Sequence, residues 1–123
     1  MDGYMAKEGP LQEKSYQYAR VVVLTCKEIQ EQKREFIMTK QLVRSGTSVG
    51  ANIEEAQHAE SRNDFISKLS IALKEAYESR FWIRLLCDTG YLTSEKEQLL
   101  LKHVNEIIPM LIKSIKTAKR NKP

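Results

Sequence analysis

Apolar side chains recur at intervals of three and four residues along four stretches of this 123-residue chain. This spacing places them on one face of an α-helix. It predicts helices over residues 11–32, from 36 or 39 to 60, over 62–89, and from 93 or 94 to about 119. The connections are short, which makes successive helices antiparallel neighbours. We therefore expect an all-α fold, an up-down-up-down antiparallel four-helix bundle.

The composition fits one globular domain. Hydrophobic residues make up 41% of the chain, which is enough for a core. We expect a flexible leader over residues 1–10, a single bundle domain over 11–119 and a basic tail over 120–123. Two cysteines cannot build a disulfide framework, and free thiols fit a reducing cytoplasm. The longest apolar run, at 21–24, is far too short to span a membrane.

Small residues mark the middle of the second predicted helix. Its apolar seam comprises Leu42, Gly46, Val49, Ile53 and Ala56. Gly46 and Gly50 lie one turn apart, which predicts a flat patch where another helix approaches closely. The core face of the first helix is expected to comprise Tyr16, Ala19, Val22, Val23, Cys26 and Ile29. That of the fourth is expected to comprise Leu100, Val104, Ile107, Ile108, Leu111, Ile115 and Ala118.

The third predicted helix carries two apolar stripes, although a core requires only one. The stripe expected to face the core comprises Phe65, Leu69, Ala72, Ala76, Ile83 and Cys87. The second apolar stripe comprises Ile71, Trp82, Leu85 and Leu86. A second stripe favours a further binding partner for this helix. We expect it to form the interface of a homo-oligomer.

A row of polar side chains runs beside the apolar seam of the second helix. Arg44, Ser48, Asn52 and Glu55 share an arc of roughly 80° at helical spacing. Two interpretations are open: a solvated face, and a buried polar ladder at a helix or subunit contact. We take the ladder as the prediction, with Arg44, Asn52 and Glu55 mostly buried and hydrogen-bonded.

Positive charge is concentrated towards the C-terminus. Residues 102–123 hold six Lys or Arg and one acidic residue, whereas the rest of the chain is nearly balanced. One interpretation is a helix end whose cations complement the helix dipole and trail into a solvated tail. The other is a surface that binds nucleic-acid phosphates. The candidate nucleic-acid-binding residues are Lys113, Lys116, Lys119, Arg120 and Lys122.

The sequence shows no complete catalytic or metal-binding constellation. Glu55 and His58 have the Glu-x-x-His spacing of di-iron bundles, but the second pair and two further Glu are missing. Cys26 and Cys87 fall in apolar stripes, where a free Cys acts as a small hydrophobe. Aromatic residues other than Trp82 are expected to pack in the core or near the ends rather than to stack on bases. We expect no enzymatic activity, no cofactor and no metal.

Two segments resemble a known family. They are residues 41–56 (QLVRSGTSVGANIEEA) and 64–78 (DFISKLSIALKEAYE). Their pattern resembles that of the 23S rRNA intervening-sequence proteins, a family of four-helix bundles. Two positions depart from it: Ala56 stands where the family has Gly, and residues 73–75 (LKE) stand where many members have a small Gly-Ser pair.

The resemblance implies a homopentameric ring of bundles. The chain is also similar to the accessory variability proteins of diversity-generating retroelements, which implies basic surfaces that contact nucleic acid and a reverse transcriptase. We expect a non-enzymatic oligomer that binds RNA or DNA without sequence preference, or acts as a scaffold. The alternative is an oligomeric adaptor that binds proteins only, in which the charge has no binding role.

Overall fold

The structure is a computed structural model that describes residues 9–121, and it consists of four long α-helices. Helix α1 spans Pro10–Lys33, α2 Met38–Ala56, α3 Arg62–Asp88 and α4 Ser94–Arg120. Each helix packs against the next, and α4 closes the ring against α1. Within the described residues the backbones of the diagonal pairs α1–α3 and α2–α4 do not come together. The predicted up-down-up-down bundle is confirmed.

The helices extend slightly beyond the predicted domain limits. Pro10 and Arg120, assigned from the sequence to the leader and the tail, are helical. Residues 1–8 of the predicted leader and residues 122–123 of the predicted tail lie outside the described residues. None of the four helices, over their described lengths, is long and apolar enough to cross a membrane.

Local signals set the ends of α3 and α4 as the sequence indicates. The Ser61 hydroxyl accepts a hydrogen bond from the Asp64 N–H at 3.0 Å, and Thr93 accepts one from the Lys96 N–H at 3.2 Å. Each hydroxyl satisfies a backbone donor that the first turn leaves unpaired. After α3, Gly90 adopts a φ of 89°, a left-handed conformation that favours glycine.

Helix α2 begins at Met38, between the two predicted starts at residues 36 and 39, and ends at Ala56 rather than near residue 60. The buried carboxylate of Glu35 sets its start, since it accepts hydrogen bonds from the N–H groups of Ile37, Met38 and Thr39 at 2.9–3.0 Å. Burial alone would raise the pKa of Glu35. The hydrogen bonds from these three residues outweigh burial and lower that pKa below its ordinary value.

The core follows the predicted pattern with one correction on α1. All five members of the α2 seam are buried, as are Val22, Cys26 and Ile29. Tyr16 is 65% exposed, so its predicted place in the core is wrong. It lies about 120° from Val22 around the helix. Tyr18 is fully buried instead, and its hydroxyl lies 2.7 Å from that of Ser79 on α3.

The core positions of the other two helices largely match the prediction. On α3 the buried members are Leu69, Ala72, Ala76 and Ile83, while Phe65 and Cys87 are half-buried. On α4 the buried members are Leu100, Val104, Ile107, Ile108, Leu111 and Ile115, while Ala118 is half-buried. Pro109 lies within α4 on an exposed position, and the helix continues through it.

The two glycines of α2 contact α1 at different distances. A Cβ atom on Gly46 would lie 3.0 Å from Val22 Cγ1, which is tighter than an ordinary van der Waals contact. A Cβ atom on Gly50 would lie 3.4 Å from the Ser15 carbonyl oxygen, an ordinary contact. Val22 is β-branched and fully buried, so it has little freedom to move aside. The predicted close approach of a second helix is therefore present, and it is tightest at Gly46.

We predict that Gly46→Ala and Gly50→Ala change stability differently. Both gain about 1 kcal/mol of helix propensity. At position 46 the new methyl group overpacks against Val22, which typically costs about 1–3 kcal/mol. Urea denaturation should give Gly50→Ala the higher free energy of unfolding by about 1–3 kcal/mol. Equal stability of the two variants would contradict the packing argument.

We also predict a pH-dependent effect of Glu35→Gln. Because the pKa of Glu35 is lowered from its ordinary value of 4.5, its charge stabilises the fold above that pH. The contribution is lost as the pH falls through the lowered pKa. The variant should lose about 1 kcal/mol near neutral pH, and its Tm should approach that of wild type as the solution is acidified below about pH 4.5.

The matched control is Glu31→Gln, a change to an exposed carboxylate at the end of α1. It should shift the Tm little and by a similar amount across the same pH range. A Glu35→Gln effect that stays constant on acidification would show that the carboxylate charge does not stabilise the start of α2.

Candidate nucleic-acid interface

Four of the five predicted binding residues lie on the last turns of α4. Lys113, Lys116, Lys119 and Arg120 are all exposed. Within residues 9–121 none of the four forms an ion pair with an acidic side chain. The fifth, Lys122, lies outside the described residues. The end of α4 therefore presents cations that are free to meet a polyanion.

Helix α3 adds cations beside α4 that the sequence analysis did not single out. Arg80 donates from Nη1 to Asn105 Oδ1 on α4 at 3.0 Å, and its guanidinium carbon lies 5.0 Å from the ring centroid of Tyr77. One turn further along α3, Arg84 is exposed, as is Lys102 on α4. Arg80 and Asn105 lie at the same position along the bundle axis. Because α3 and α4 are antiparallel, four residues forward on α3 correspond to about four residues back on α4, which places Arg84 near Lys102.

We call these residues together the α3–α4 surface. It comprises Tyr77, Arg80, Arg84, Lys102, Lys113 and Lys116. Each is exposed or half-buried, and five of the six carry a positive charge.

The acidic residues in the middle of α3 and α4 form ion pairs with the neighbouring helices. Between residues 65 and 87, α3 has only Glu75 and Glu78 as acids. Both bind Arg44 of α2, Glu75 through Nη1 at 3.4 Å and Glu78 through Nη2. Beyond residue 97, α4 has one acidic residue, Glu106. Its carboxylate pairs with the Lys14 ammonium of α1 at 3.3 Å. Ion pairing thus draws these three carboxylates towards the neighbouring helices and leaves the middle of this side basic. Asp88, one turn beyond Arg84, and Glu95, two turns before Lys102, add negative charge at one end of it.

The burial predicted for the polar ladder on α2 is wrong for Arg44 and Glu55, whereas Asn52 is mostly buried as predicted. The side chain of Arg44 is 49% exposed and that of Glu55 is 58% exposed. Glu55 pairs with Lys68 of α3 at 2.8 Å, and the Asn52 amide donates to the Ser48 carbonyl oxygen at 2.9 Å. No side chain-to-side chain hydrogen bond joins the four predicted members within the described chain. Their arc lies at the edge of α2 nearest α3, where long charged side chains reach across to the other helix.

The second apolar stripe of α3 also needs a correction. Leu86 is fully buried within its own chain, so it cannot belong to an oligomer interface. Ile71, Trp82 and Leu85 remain half-buried at the surface of the single chain. The indole N–H of Trp82 donates to Glu78 at 3.0 Å. For these three residues the oligomer interface stays a prediction.

Two aromatic side chains of α3 are more exposed than predicted from the sequence. In the middle of α3, Tyr77 is 44% exposed and Phe81 is 57% exposed. The ring of Phe81 meets that of Trp82 edge to face, with centroids 5.0 Å apart. The signal was available in the sequence, because Tyr77 and Phe81 lie far around the helix from Ala72 and Ala76.

The remaining reactive groups form no catalytic arrangement in the described residues. Burial, aided by the charge of Glu35, raises the pKa of the Cys26 thiol to about 12. Burial and the hydrogen bond with Glu97 raise the pKa of Cys87 as well. Both therefore stay protonated near neutral pH. No group of three His, Cys, Asp or Glu side chains is placed to hold a metal ion within residues 9–121.

The fold and the cations of α3 and α4 define a four-helix-bundle protein with a basic surface on these two helices. The sequence pattern of the 23S rRNA-intervening sequence protein family matches residues 8–113. The chain belongs to this family, as its resemblance over residues 41–78 indicated.

A solved structure from Bacteroides thetaiotaomicron is similar to the chain over nearly its whole length. It is described as a protein of unknown function from the S23 ribosomal protein family. The two are 46% identical, the match covers 86% of this chain and 98% of that one, and the TM-score is 0.84. No protein with a curated description matches the chain significantly.

If the second stripe is an oligomer interface, Trp82→Ala should weaken self-association. A large aromatic at an interface often contributes about 2 kcal/mol or more. Light scattering at micromolar concentration should give an oligomeric mass for wild type and a smaller mass for the variant.

Phe36→Ala is the control, since Phe36 is a large aromatic residue, 45% exposed, that lies before α2 and outside the second stripe. A monomeric mass for the wild-type chain, or unchanged assembly of Trp82→Ala, would remove the second stripe from consideration as the interface.

Proposed function

We propose that this protein is a non-enzymatic oligomer that binds nucleic acid, chiefly RNA, without sequence preference. The observation that carries the proposal is the cationic side of α3 and α4, from which Glu75, Glu78 and Glu106 are drawn away by ion pairs. The name of the family, which refers to an intervening sequence of 23S rRNA, supports RNA as the target. Such a role fits a cytoplasmic protein with free thiols at Cys26 and Cys87.

The chemistry of these cations favours binding to the backbone rather than to bases. Most of them are lysines, which bind phosphates as point charges and carry no base code. In a ring of like subunits, as the family resemblance implies, each surface would be repeated. Modest attraction at one subunit would then become avidity over several. A homopentamer is the assembly that we propose.

A second function, as an adaptor for another protein such as a reverse transcriptase, rests on exposed apolar side chains. Ile37 is 80% exposed at the start of α2, and Phe81 is 57% exposed on α3. Exposed apolar groups of this size are typical of protein contacts. The two functions differ in their salt dependence, because attraction to a polyanion weakens steeply with salt.

The test of nucleic-acid binding is a triple variant with Lys116→Gln, Lys119→Gln and Arg120→Gln. Glutamine keeps the helix but removes three positive charges. Fluorescence anisotropy with a labelled RNA should show weaker binding. The slope of log affinity against log salt should become shallower by about 2, since each lost contact to a single strand contributes about 0.7.

The matched control removes three cations from another side of the bundle, with Arg20→Gln, Lys27→Gln and Lys40→Gln. These side chains are exposed and form no ion pair in the described part of the chain. The control should keep most of the RNA affinity. If both triple variants bind equally, net charge alone accounts for the attraction. If wild type binds no RNA at low salt, the adaptor function takes precedence.

A further inference from the structure

We propose that the α3–α4 surface binds single-stranded nucleic acid, with an unpaired base stacked on Tyr77 and phosphates held by Arg84, Lys102 and Lys113. This inference rests on the proposed function and goes further, because it names the strand form and the stacking side chain. Two observations support the inference: the contact between Tyr77 and Arg80, and the pairing of Glu75 and Glu78 with Arg44 on the other side of α3.

The ring of Tyr77 and the guanidinium of Arg80 form a fixed platform. The guanidinium lies over the ring at 5.0 Å and is held from α4 by the Asn105 oxygen at 3.0 Å. Tyr77 is still 44% exposed, so the ring keeps a surface open to a ligand. Because the partners are already held in place, binding would cost less conformational entropy than at a mobile side chain. Aromatic rings and Arg guanidinium planes are the groups on which unpaired bases stack.

Cations lie on both sides of this platform along the bundle. Arg84 lies seven residues beyond Tyr77 on α3, about 10 Å along the helix. On α4, Lys102 and Lys113 are separated by about 16 Å, with Asn105 between them. A strand lying along the two helices would therefore meet positive charge before and after the stacked base. In the middle of α3, Glu75 and Glu78 point away from this side, since Arg44 binds both, whereas Asp88 lies one turn beyond Arg84 at the end of the surface.

The geometry favours a single strand over a duplex. Bases in a duplex are stacked on one another, so their faces are closed to Tyr77. A duplex would therefore meet this surface through its phosphates alone, whereas a single strand adds a base stacked on Tyr77. A flexible strand can turn out one base and still place its phosphates on Arg84 and Lys102.

This surface is also compatible with assembly through the second stripe. Tyr77 lies about 140° from Trp82 around α3. Ile71, Trp82 and Leu85 lie about 80–140° from Tyr77 around α3, so a partner subunit centred on them would approach from a different side of the helix.

The experiment compares Tyr77→Ala with Tyr77→Phe, which keeps the ring, and with Tyr16→Ala, which removes an exposed ring from α1. The probes are labelled oligouridine and oligodeoxythymidine of about 20 nucleotides and an RNA duplex of the same length. Tyr77→Ala should bind both single strands about 10-fold more weakly, which is in the range of one lost stacking contact. Tyr77→Phe and Tyr16→Ala should bind them like wild type, and duplex binding should change little in all three.

A second variant tests the phosphate contacts on the full-length chain. Arg84→Gln with Lys102→Gln should make the salt slope for the single strands shallower by about 1.4. Circular dichroism and thermal unfolding should show that each variant keeps the bundle. Tighter binding of RNA than of DNA would add a contact to the 2′-hydroxyl, and equal binding would leave base and phosphate as the contacts; both support the inference.

The failure of this inference can be distinguished from failure of the proposed function. Wild-type affinity of Tyr77→Ala for single strands, or stronger binding of wild type to the duplex, would overturn the stacking site. Salt-dependent binding by wild type would still support the proposed function in either case. Absence of binding to all three probes at low salt would overturn both.

Discussion

The hydrogen bond between Tyr18 and Ser79 passes through the centre of the bundle and joins two helices whose backbones do not meet. Ser79 donates its own proton to the Ala76 carbonyl at 2.8 Å, so Tyr18 donates to Ser79. Both residues are fully buried, and a buried hydroxyl without a partner costs about 1–3 kcal/mol. A shift of α1 along α3 by one turn would break this hydrogen bond and leave the Tyr18 hydroxyl unpaired. The hydrogen bond therefore favours one alignment of the two helices along the bundle axis. Burial also raises the pKa of Tyr18, so the phenol keeps the proton that it donates.

The position of α3 along the bundle axis in turn decides which surface residues of neighbouring helices lie within contact distance. On one side it brings Glu75 and Glu78 within reach of Arg44, and on the other it brings Arg80 to Asn105. These contacts are exposed, and each pair stabilises the fold only slightly. Their main effect is to orient charged side chains. A core hydrogen bond, together with the packing of α3 against α2 and α4, thereby contributes to the charge pattern of the outer surface.

Much of the fold could be predicted from the sequence because helical spacing is a strong signal. The α2 seam, the Ser61 and Thr93 caps and the stop at Gly90 all follow from local chemistry. The errors arose where two nearby positions competed for the core. Tyr16 and Tyr18 differ by two residues, and only packing decides which one is inside. The sequence did not reveal that Glu35 caps α2. Its carboxylate accepts a hydrogen bond from the N–H of a residue two positions later, and this arrangement has no fixed sequence pattern.

The candidate site was predictable only in part. The exposed cations at the end of α4 follow from the sequence, whereas Arg80, Arg84 and Tyr77 join them only when α3 lies beside α4.

The position of these cations on one side of the bundle affects how the protein approaches a charged ligand in solution. The five cations of the α3–α4 surface form no ion pair in the described residues, so they contribute to an electric dipole across the short axis of the molecule. In the field of a polyanion such a dipole rotates the molecule before contact, so more encounters begin in the productive orientation. Arg44, through its two ion pairs, thus contributes to the rate of association from the opposite side of α3.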